Sequence, residues 1–218
     1  GSSLVAGGSF TQAGGVPATL YIARLDGASW NSIGAGRNSI VYTLVVHQGD
    51  LLAGGQLGLA PGTSVARWDG SSWSGFGTLT RFNTMISLPS VDALLSTGTE
   101  LFAGGNFDKA AGSDTVKYVA RWDGTQWVRM GAGLPYRVWE LAWYRDSLVA
   151  GAGASGQTST ADLGVAGVLA RWDGTAWATV GGFGFGVEAL CVRDTQLVVG
   201  GHQRGGGTLP ADFLDAWD

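Results

Sequence analysis

The nine residues from Val119 to Trp127 read VARWDGTQW, and they describe a strand, a tight turn and the start of a second strand. Asp123 and Gly124 supply the turn, because an Asp carboxylate accepts the backbone N–H groups that follow it and Gly adopts a positive φ without strain. Such a turn places Trp122 opposite Trp127 across an antiparallel ladder, with both rings on one side of the sheet. The stretch therefore predicts a β-hairpin.

The same sequence motif recurs along the chain with a period of about fifty residues, which is typical of repeat proteins. The Ala-Arg-x-Asp-Gly element begins at Ala23, Ala66, Ala120 and Ala170, and each copy has a Trp four residues after its Asp. A second element, usually ending in a double glycine, has its first glycine at Gly7, Gly54, Gly104, Gly151 and Gly200. A third element begins at Val41, Val91, Val138 and Val187. Each repeat thus offers four short apolar segments separated by turn residues, which predicts strands and no helices.

One repeat gives the expected strands a to d at Val138 to Tyr144, Leu148 to Gly151, Val168 to Trp172 and Trp177 to Val180. The spacing across the a to b and c to d turns is constant between repeats, whereas the b to c and d to a connections vary in length. In an antiparallel meander those two variable connections share one end of the sheet. Variable loops on a rigid scaffold are where binding residues concentrate, so function is expected at that end.

The repeat resembles the kelch type of β-propeller blade. In kelch-like repeats a double glycine ends strand b, an acidic turn follows strand c and a Trp lies in strand d; here these positions are Gly104 and Gly105, Asp123 and Trp127. The AGG-x-F and ARWDG-x-x-W wording is similar to glycine-rich repeats of uncharacterised extracellular bacterial proteins, and it has Asp-Gly where kelch repeats usually have Asp-Pro. The resemblance implies an all-β propeller of about five four-stranded blades and an extracellular or cell-surface location.

The phase of the repeat sets the expected domain organisation. The whole chain, 1–218, is expected to form one propeller domain with repeats at approximately 1–36, 37–77, 78–133, 134–182 and 183–218. The first repeat lacks strand a and the last lacks strand d, so we expect incomplete first and last blades. Free strand edges invite pairing, and further blades of a longer chain or a second chain are expected to cover them.

Composition limits the partners and cofactors. The 218 residues include 38 glycines, carry a net charge of −4 and have one cysteine, Cys191. A net negative charge does not favour binding to nucleic acid, and the apolar runs are too short to span a membrane. A single cysteine excludes an intramolecular disulfide and a Cys-rich zinc site, so we expect no metal and no cofactor, with Cys191 as a core thiol.

Residues that recur in every repeat are expected to be structural. The tryptophans should pack between blades, with Trp68, Trp122 and Trp172 largely buried. The Arg and Asp of each Arg-x-Asp lie on one face of a strand, and they are expected to form an ion pair or a turn clamp. The structural set comprises Gly54, Gly55, Gly104, Gly105, Trp68, Asp69, Trp122, Asp123, Trp127, Trp172 and Asp173.

Polar and aromatic residues outside the repeat pattern form the candidate ligand site. At the variable-loop end these are Arg37, Asn38, Arg81, Asn83, Tyr136, Arg137, Trp139, Glu140, His202 and Arg204. Arginines gathered there would hold a carboxylate or a sulfate through paired hydrogen bonds. Trp139 and Trp143 lie in the strand that a propeller places innermost, where they either stack on a ligand or fill the channel.

The predicted function is a binding module that recognises a glycan or a protein through the variable-loop face. One alternative is a carbohydrate-active hydrolase or lyase that uses the arginines with Tyr136, Glu140 or Glu188; another is a structural repeat in a larger assembly. No catalytic residues are assigned, because His47 and His202 are expected at opposite ends of their sheets and a Ser-His-Asp triad requires mutual hydrogen-bond reach.

Overall fold

The computed structural model describes residues 3–36, 39–57, 63–82, 88–110, 115–153, 167–184, 186–202 and 215–217, and of His202 and 215–217 it describes the backbone alone. Throughout these residues the chain is all-β, with antiparallel pairing in every sheet and no helix. The all-β prediction is therefore confirmed.

Five sheets follow one another along the chain. Sheet I contains β1 (Leu4–Gly7), β2 (Ile22–Asp26) and β3 (Ser29–Ser32). Sheet II contains β4 (Val41–His47), β5 (Asp50–Gly55), β6 (Val65–Trp68) and β7 (Trp73–Gly75), followed by the short β8 (Leu79–Thr80). Sheet III contains β9 (Ser90–Ser96), β10 (Leu101–Asn106), β12 (Val119–Trp122) and β13 (Trp127–Arg129), with β11 (Lys109–Ala110) between β10 and β12 in the chain. Sheet IV contains β14 (Arg137–Tyr144), β15 (Ser147–Gly153), β16 (Gly167–Trp172) and β17 (Trp177–Phe183). Sheet V contains β18 (Gly186–Arg193), β19 (Gln196–His202) and β20 (Asp215–Trp217).

Each of these five sheets is a meander whose strands pair in chain order, with β10 of sheet III pairing with β12. We call the end that carries the tight turns, such as the one between β14 and β15, the turn end, and the opposite end the loop end. Strands β8 and β11 lie outside the expected repeat pattern, and they pair with each other as a separate two-stranded sheet built from two loop-end connections. The connection that holds β8 is the longest between a d strand and an a strand, and it is long enough to pair outside the repeat pattern.

The first strands of successive sheets, β4, β9, β14 and β18, pack side by side in chain order. Repeated glycines permit this close approach. A Cβ at Gly54 would lie 2.8 Å from Val91 Cγ1, and one at Gly151 would lie 2.6 Å from Val187 Cγ1. The first glycine of the double-glycine element therefore makes room for the Val that opens the next repeat, which explains why both recur.

A bulge near the start of each first strand leaves one extra residue in the strand. The pairing register shifts there in sheets II to V. The extra residues are Tyr42, Asp92, Trp139 and Glu188. A bulge redirects a side chain out of the regular alternation, so these four equivalent positions are available for contacts other than sheet packing.

The hairpin prediction is confirmed, but the burial of the tryptophans differs from expectation. Trp122 pairs with Trp127, and the rings meet edge to face with centroids 5.4 Å apart. Trp127 is 1% exposed, whereas Trp68, Trp122 and Trp172 are only partly buried. In this pair the second Trp is the deeper one, whereas Trp73 and Trp177 are partly buried like their partners Trp68 and Trp172.

The prediction for Cys191 is wrong, because this thiol is exposed in β18. The equivalent residue in sheet IV, Ala142, is buried. Sheet V covers Ala142, whereas no sheet among the described residues packs over the face of β18 that carries Cys191.

Candidate functional site

Three of the four repeated Asp residues are turn clamps, whereas Asp26 binds the side chains of Ser3, Arg24 and Asn31. Asp123 Oδ1 accepts the backbone N–H groups of Thr125 and Gln126 at 2.8 and 2.9 Å, and Asp69 and Asp173 bind their own turns in the same way. Hydrogen bonds from the backbone of Gln126 and Thr125 lower the pKa of Asp123, since they favour the charged carboxylate. These residues build the hairpin, as the sequence predicts.

The repeated Arg residues mostly pair across the ladder and not within Arg-x-Asp. Only Arg24 binds the Asp of its own motif, at 2.8 Å. The three later copies bind the residue at the start of strand b: Arg67 with Asp50 at 2.9 Å, Arg121 with Glu100 at 3.7 Å, and Arg171 with Ser147 Oγ at 2.8 Å. The Asp carboxylates of the later copies already accept hydrogen bonds from their own turns. The Arg of each of these motifs therefore binds a residue of the adjacent strand.

At the loop end, Arg137 is bound to Asp92. Its Nε and Nη2 donate to the two carboxylate oxygens, and its guanidinium lies 3.8 Å above the Trp139 ring. Burial raises the pKa of the nearby Tyr42 phenol, and the charge of Asp92 adds to this effect while that of Arg137 opposes it. The positive charge of Arg137 is therefore already compensated within the protein.

The arginine cluster predicted at the loop end does not form among the described residues, and the other described candidate ligand residues make contacts within the protein. Arg81 Nη1 donates to Asn106 Oδ1, and Tyr136 packs against the core between sheets III and IV. Glu140 Oε1 accepts the backbone N–H of Leu141, and burial raises its pKa. Arg37, Asn38, Asn83 and Arg204 lie outside the described residues, as does the side chain of His202.

A repeated indole hydrogen bond joins neighbouring sheets. Trp73 Nε1 donates to Ile33 O at 3.0 Å between sheets II and I, and Trp127 Nε1 donates to Phe76 O at 3.1 Å between sheets III and II. The equivalent Trp177 Nε1 in sheet IV is buried and has no hydrogen-bond partner among the described residues. The interface between sheets III and IV therefore departs from the other two.

A cleft opens at the turn end of this same interface. Its volume is about 950 Å³. The wall contains aromatic rings, three Arg and three acidic side chains, comprising Phe102, Trp143, Trp172, Arg121, Arg129, Arg171, Glu100, Asp146 and Asp173. A concave site with aromatic walls and a few polar groups is the usual form of a small-molecule site.

Four residues of the cleft differ from their equivalents in the other repeats. The Phe102 position holds Val5, Leu52, Val149 and Val198 elsewhere, and the Trp143 position holds Val46, Ser96 and Val192. The Arg129 position holds Ser32, Gly75 and Thr179, and the Asp146 position holds Gly49, Thr99 and Thr195. We call Phe102, Arg129, Trp143 and Asp146 the cleft set. Trp143 was a candidate from the sequence; the other three were not, and they differ from the repeat pattern only when the repeats are compared position by position.

Two further observations concern metals and membranes. Nowhere in the described part of the chain do three or more His, Cys, Asp or Glu side chains gather as metal ligands would. No helix with the length and apolar character of a membrane span occurs there either.

Comparison with known proteins gives a structural neighbour and no family. No protein-family model matches the chain, and no curated protein matches it. Among 26 similar chains in solved structures is a computationally designed protein, Ika8, with a TM-score of 0.52 and 17% sequence identity. The match covers 85% of this chain and 51% of the designed chain, so this chain spans about half the length of that protein. A likeness at this identity concerns the fold alone, and it supports the all-β class.

Proposed function

We propose that this chain is a kelch-like β-propeller that acts as a binding module, and that its ligand occupies the cleft between sheets III and IV. Consecutive meander sheets whose first strands pack side by side are what a propeller requires of its blades. The observation that carries the proposal is the convergence of the cleft set. Four residues that each break the repeat pattern line one cavity.

The proposal moves the ligand site from the loop end to the turn end. At the loop end, Arg137 is neutralised by Asp92, so it adds little attraction for a ligand carboxylate. Glu140, one of the two acids considered for a hydrolase or lyase, accepts the N–H of Leu141 and no described arginine binds it. The described residues therefore favour a binder over a carbohydrate-active enzyme.

Location and assembly belong to the same proposal. An extracellular or cell-surface site of action follows from the resemblance of the repeats. Further blades or another chain would cover the open face of β18, where the Cys191 thiol is exposed.

The test fills the cleft. Ala178 lines the cleft and pairs with Arg171, and Ser74 holds the equivalent place opposite Arg67 in sheet II. Wild type, Ala178→Met and the matched control Ser74→Met are screened against a defined glycan array and a displayed peptide library. We expect ligands retained by wild type and Ser74→Met to be lost by Ala178→Met. The proposal fails if neither library yields a ligand, or if filling the cleft leaves binding unchanged.

A further inference from the structure

Trp143 forms a flat platform inside the cleft. It is 39% exposed, and its ring stacks on Phe102 with centroids 6.2 Å apart and an interplanar angle of 23°. Phe102 is 2% exposed, so it supports the Trp143 ring from below. Sheets III and IV each contribute one of the two rings. A supported and partly exposed indole face offers an electron-rich surface to C–H groups, and such groups line one face of a pyranose ring.

The charges of the cleft balance and are mostly engaged. Three guanidinium groups and three carboxylates line its wall. Arg121 lies 3.7 Å from Glu100, Arg171 donates to Ser147, and Asp173 accepts the N–H groups of its own turn. A cleft without net charge gives an anionic ligand no field that would draw it in.

Two charged side chains of the cleft remain available. Arg129 and Asp146 have no side-chain hydrogen bond or ion pair with any described residue, and both belong to the cleft set. Arg129 only donates hydrogen bonds and the ionised Asp146 only accepts them. A sugar hydroxyl does both, so neighbouring hydroxyl groups can accept from Arg129 and donate to Asp146. A ligand carboxylate would be attracted by Arg129 but repelled by Asp146, and a ligand ammonium group would meet the reverse, so the two side chains together favour neither charge.

The interface that holds the cleft also lacks its indole hydrogen bond. Trp177 Nε1 makes no hydrogen bond with any described residue, whereas Trp73 and Trp127 join the two preceding interfaces. Sheets III and IV therefore meet without the contact that closes the others.

From these contacts we infer that the ligand is a neutral carbohydrate, with one pyranose ring stacked on Trp143 and its hydroxyl groups bound by Arg129 and Asp146. This inference rests on the proposed binding function and gives it a ligand class. Trp143 supplies shape recognition, and the two charged side chains supply orientation.

The experiment uses the 218-residue chain and a glycan array that holds both neutral and uronic-acid oligosaccharides. Neutral oligosaccharides that bind are then titrated by calorimetry and by tryptophan fluorescence. We expect Trp143→Ala to weaken binding by about tenfold or more and Trp143→Phe to weaken it less, since a Phe ring preserves part of the stacking surface. Asp146→Asn and Arg129→Gln should each weaken it by about tenfold.

Val46→Ala, at the position of sheet II equivalent to Trp143, is the matched control and should leave affinity unchanged. Thermal melts of every variant verify that it is folded. Suppose that uronic-acid oligosaccharides or peptides bind, that Ala178→Met abolishes this binding, and that neutral oligosaccharides do not bind. The inference of a neutral carbohydrate ligand is then overturned and the binding function stands. Neutral binding that Trp143→Ala leaves intact also overturns the inference. If no ligand of any class binds, both proposals fail.

Discussion

The guanidinium of Arg137 in sheet IV holds the carboxylate of Asp92 in sheet III through two hydrogen bonds of 2.6 and 2.8 Å. The Asp92 side chain is 6% exposed and the Arg137 side chain 18%. Ser90 Oγ donates a third hydrogen bond to the same carboxylate at 3.0 Å. The pair thus ties the first strands of two sheets together at the loop end, and the residue chosen from sequence as a ligand anchor has a structural partner.

Arg137→Met should lower the free energy of unfolding by about 3–5 kcal/mol, because it leaves Asp92 buried without a counter-ion. Denaturant melts measure the loss. Asp92→Asn in the same background should restore part of it by removing the uncompensated charge. The control is Arg24→Met at the exposed Arg24–Asp26 pair, which should cost less than about 1 kcal/mol. Equal losses at the two arginines would contradict the assignment.

The indole hydrogen bonds predict a difference between equivalent tryptophans. Trp73→Phe and Trp127→Phe each remove an N–H that donates to the preceding sheet, whereas Trp177→Phe removes one that has no partner among the described residues. Trp73 and Trp177 are both partly buried, so they form the matched pair. We expect Trp73→Phe to cost about 1 kcal/mol more than Trp177→Phe in urea melts. A larger loss at Trp177 would show that its N–H is bonded in solution.

Two equivalent glycines, Gly151 and Gly200, differ in whether packing requires the absence of a side chain. A Cβ at Gly151 would lie 2.6 Å from Val187 Cγ1, but one at the equivalent Gly200 would meet nothing closer than Ala189 Cβ at 3.7 Å. Gly151→Ala should therefore cost about 1–3 kcal/mol through overpacking, and Gly200→Ala should be neutral or slightly stabilising. Thermal unfolding of the two variants measures the difference, and similar melting temperatures would rule out this account of the glycine.

Local features of the fold were predictable because they depend on neighbouring residues. The Asp123 turn, the Trp122–Trp127 pair and the strand order within a sheet follow from a few adjacent positions whose chemistry leaves little choice. The partners of Arg67 and Arg121 were not predictable in this way. They depend on which residue opens the adjacent strand, Asp50 or Glu100, and the motif itself does not contain it.

The cleft was hidden from the sequence for a related reason. Phe102 and Trp143 come from different repeats, and their contact depends on how two sheets meet. Attention to variable loop length pointed to the loop end, whereas the cleft set occupies strands and turns of constant length. Cys191 shows the same limit, since its place in an apolar strand says nothing about whether a further sheet covers it.

Acid should weaken the hairpin turns. The pKa of Asp123 is lowered in the folded protein by hydrogen bonds from the backbone of Gln126 and Thr125, so the unfolded chain takes up a proton at higher pH. The stabilisation is present above the ordinary Asp pKa and is lost as pH falls through the lowered value. Asp123→Asn should flatten the fall in melting temperature on the acid side. An unchanged acid profile would show that the turn does not depend on the charge of Asp123.

Glu140 should make the stability of the fold depend on pH in the opposite direction to Asp123. Burial raises its pKa above the ordinary Glu value, so the folded protein binds this proton more tightly than the unfolded chain does. Its contribution favours folding while the carboxyl is protonated, and stability falls as pH rises from the ordinary Glu pKa through the raised one. Glu140→Gln removes the cost of the buried charge, and its melting temperature should exceed that of wild type at neutral pH and converge with it in acid. A Glu140→Gln variant less stable than wild type at neutral pH would mean that the carboxylate makes a favourable contact beyond its bond to the N–H of Leu141.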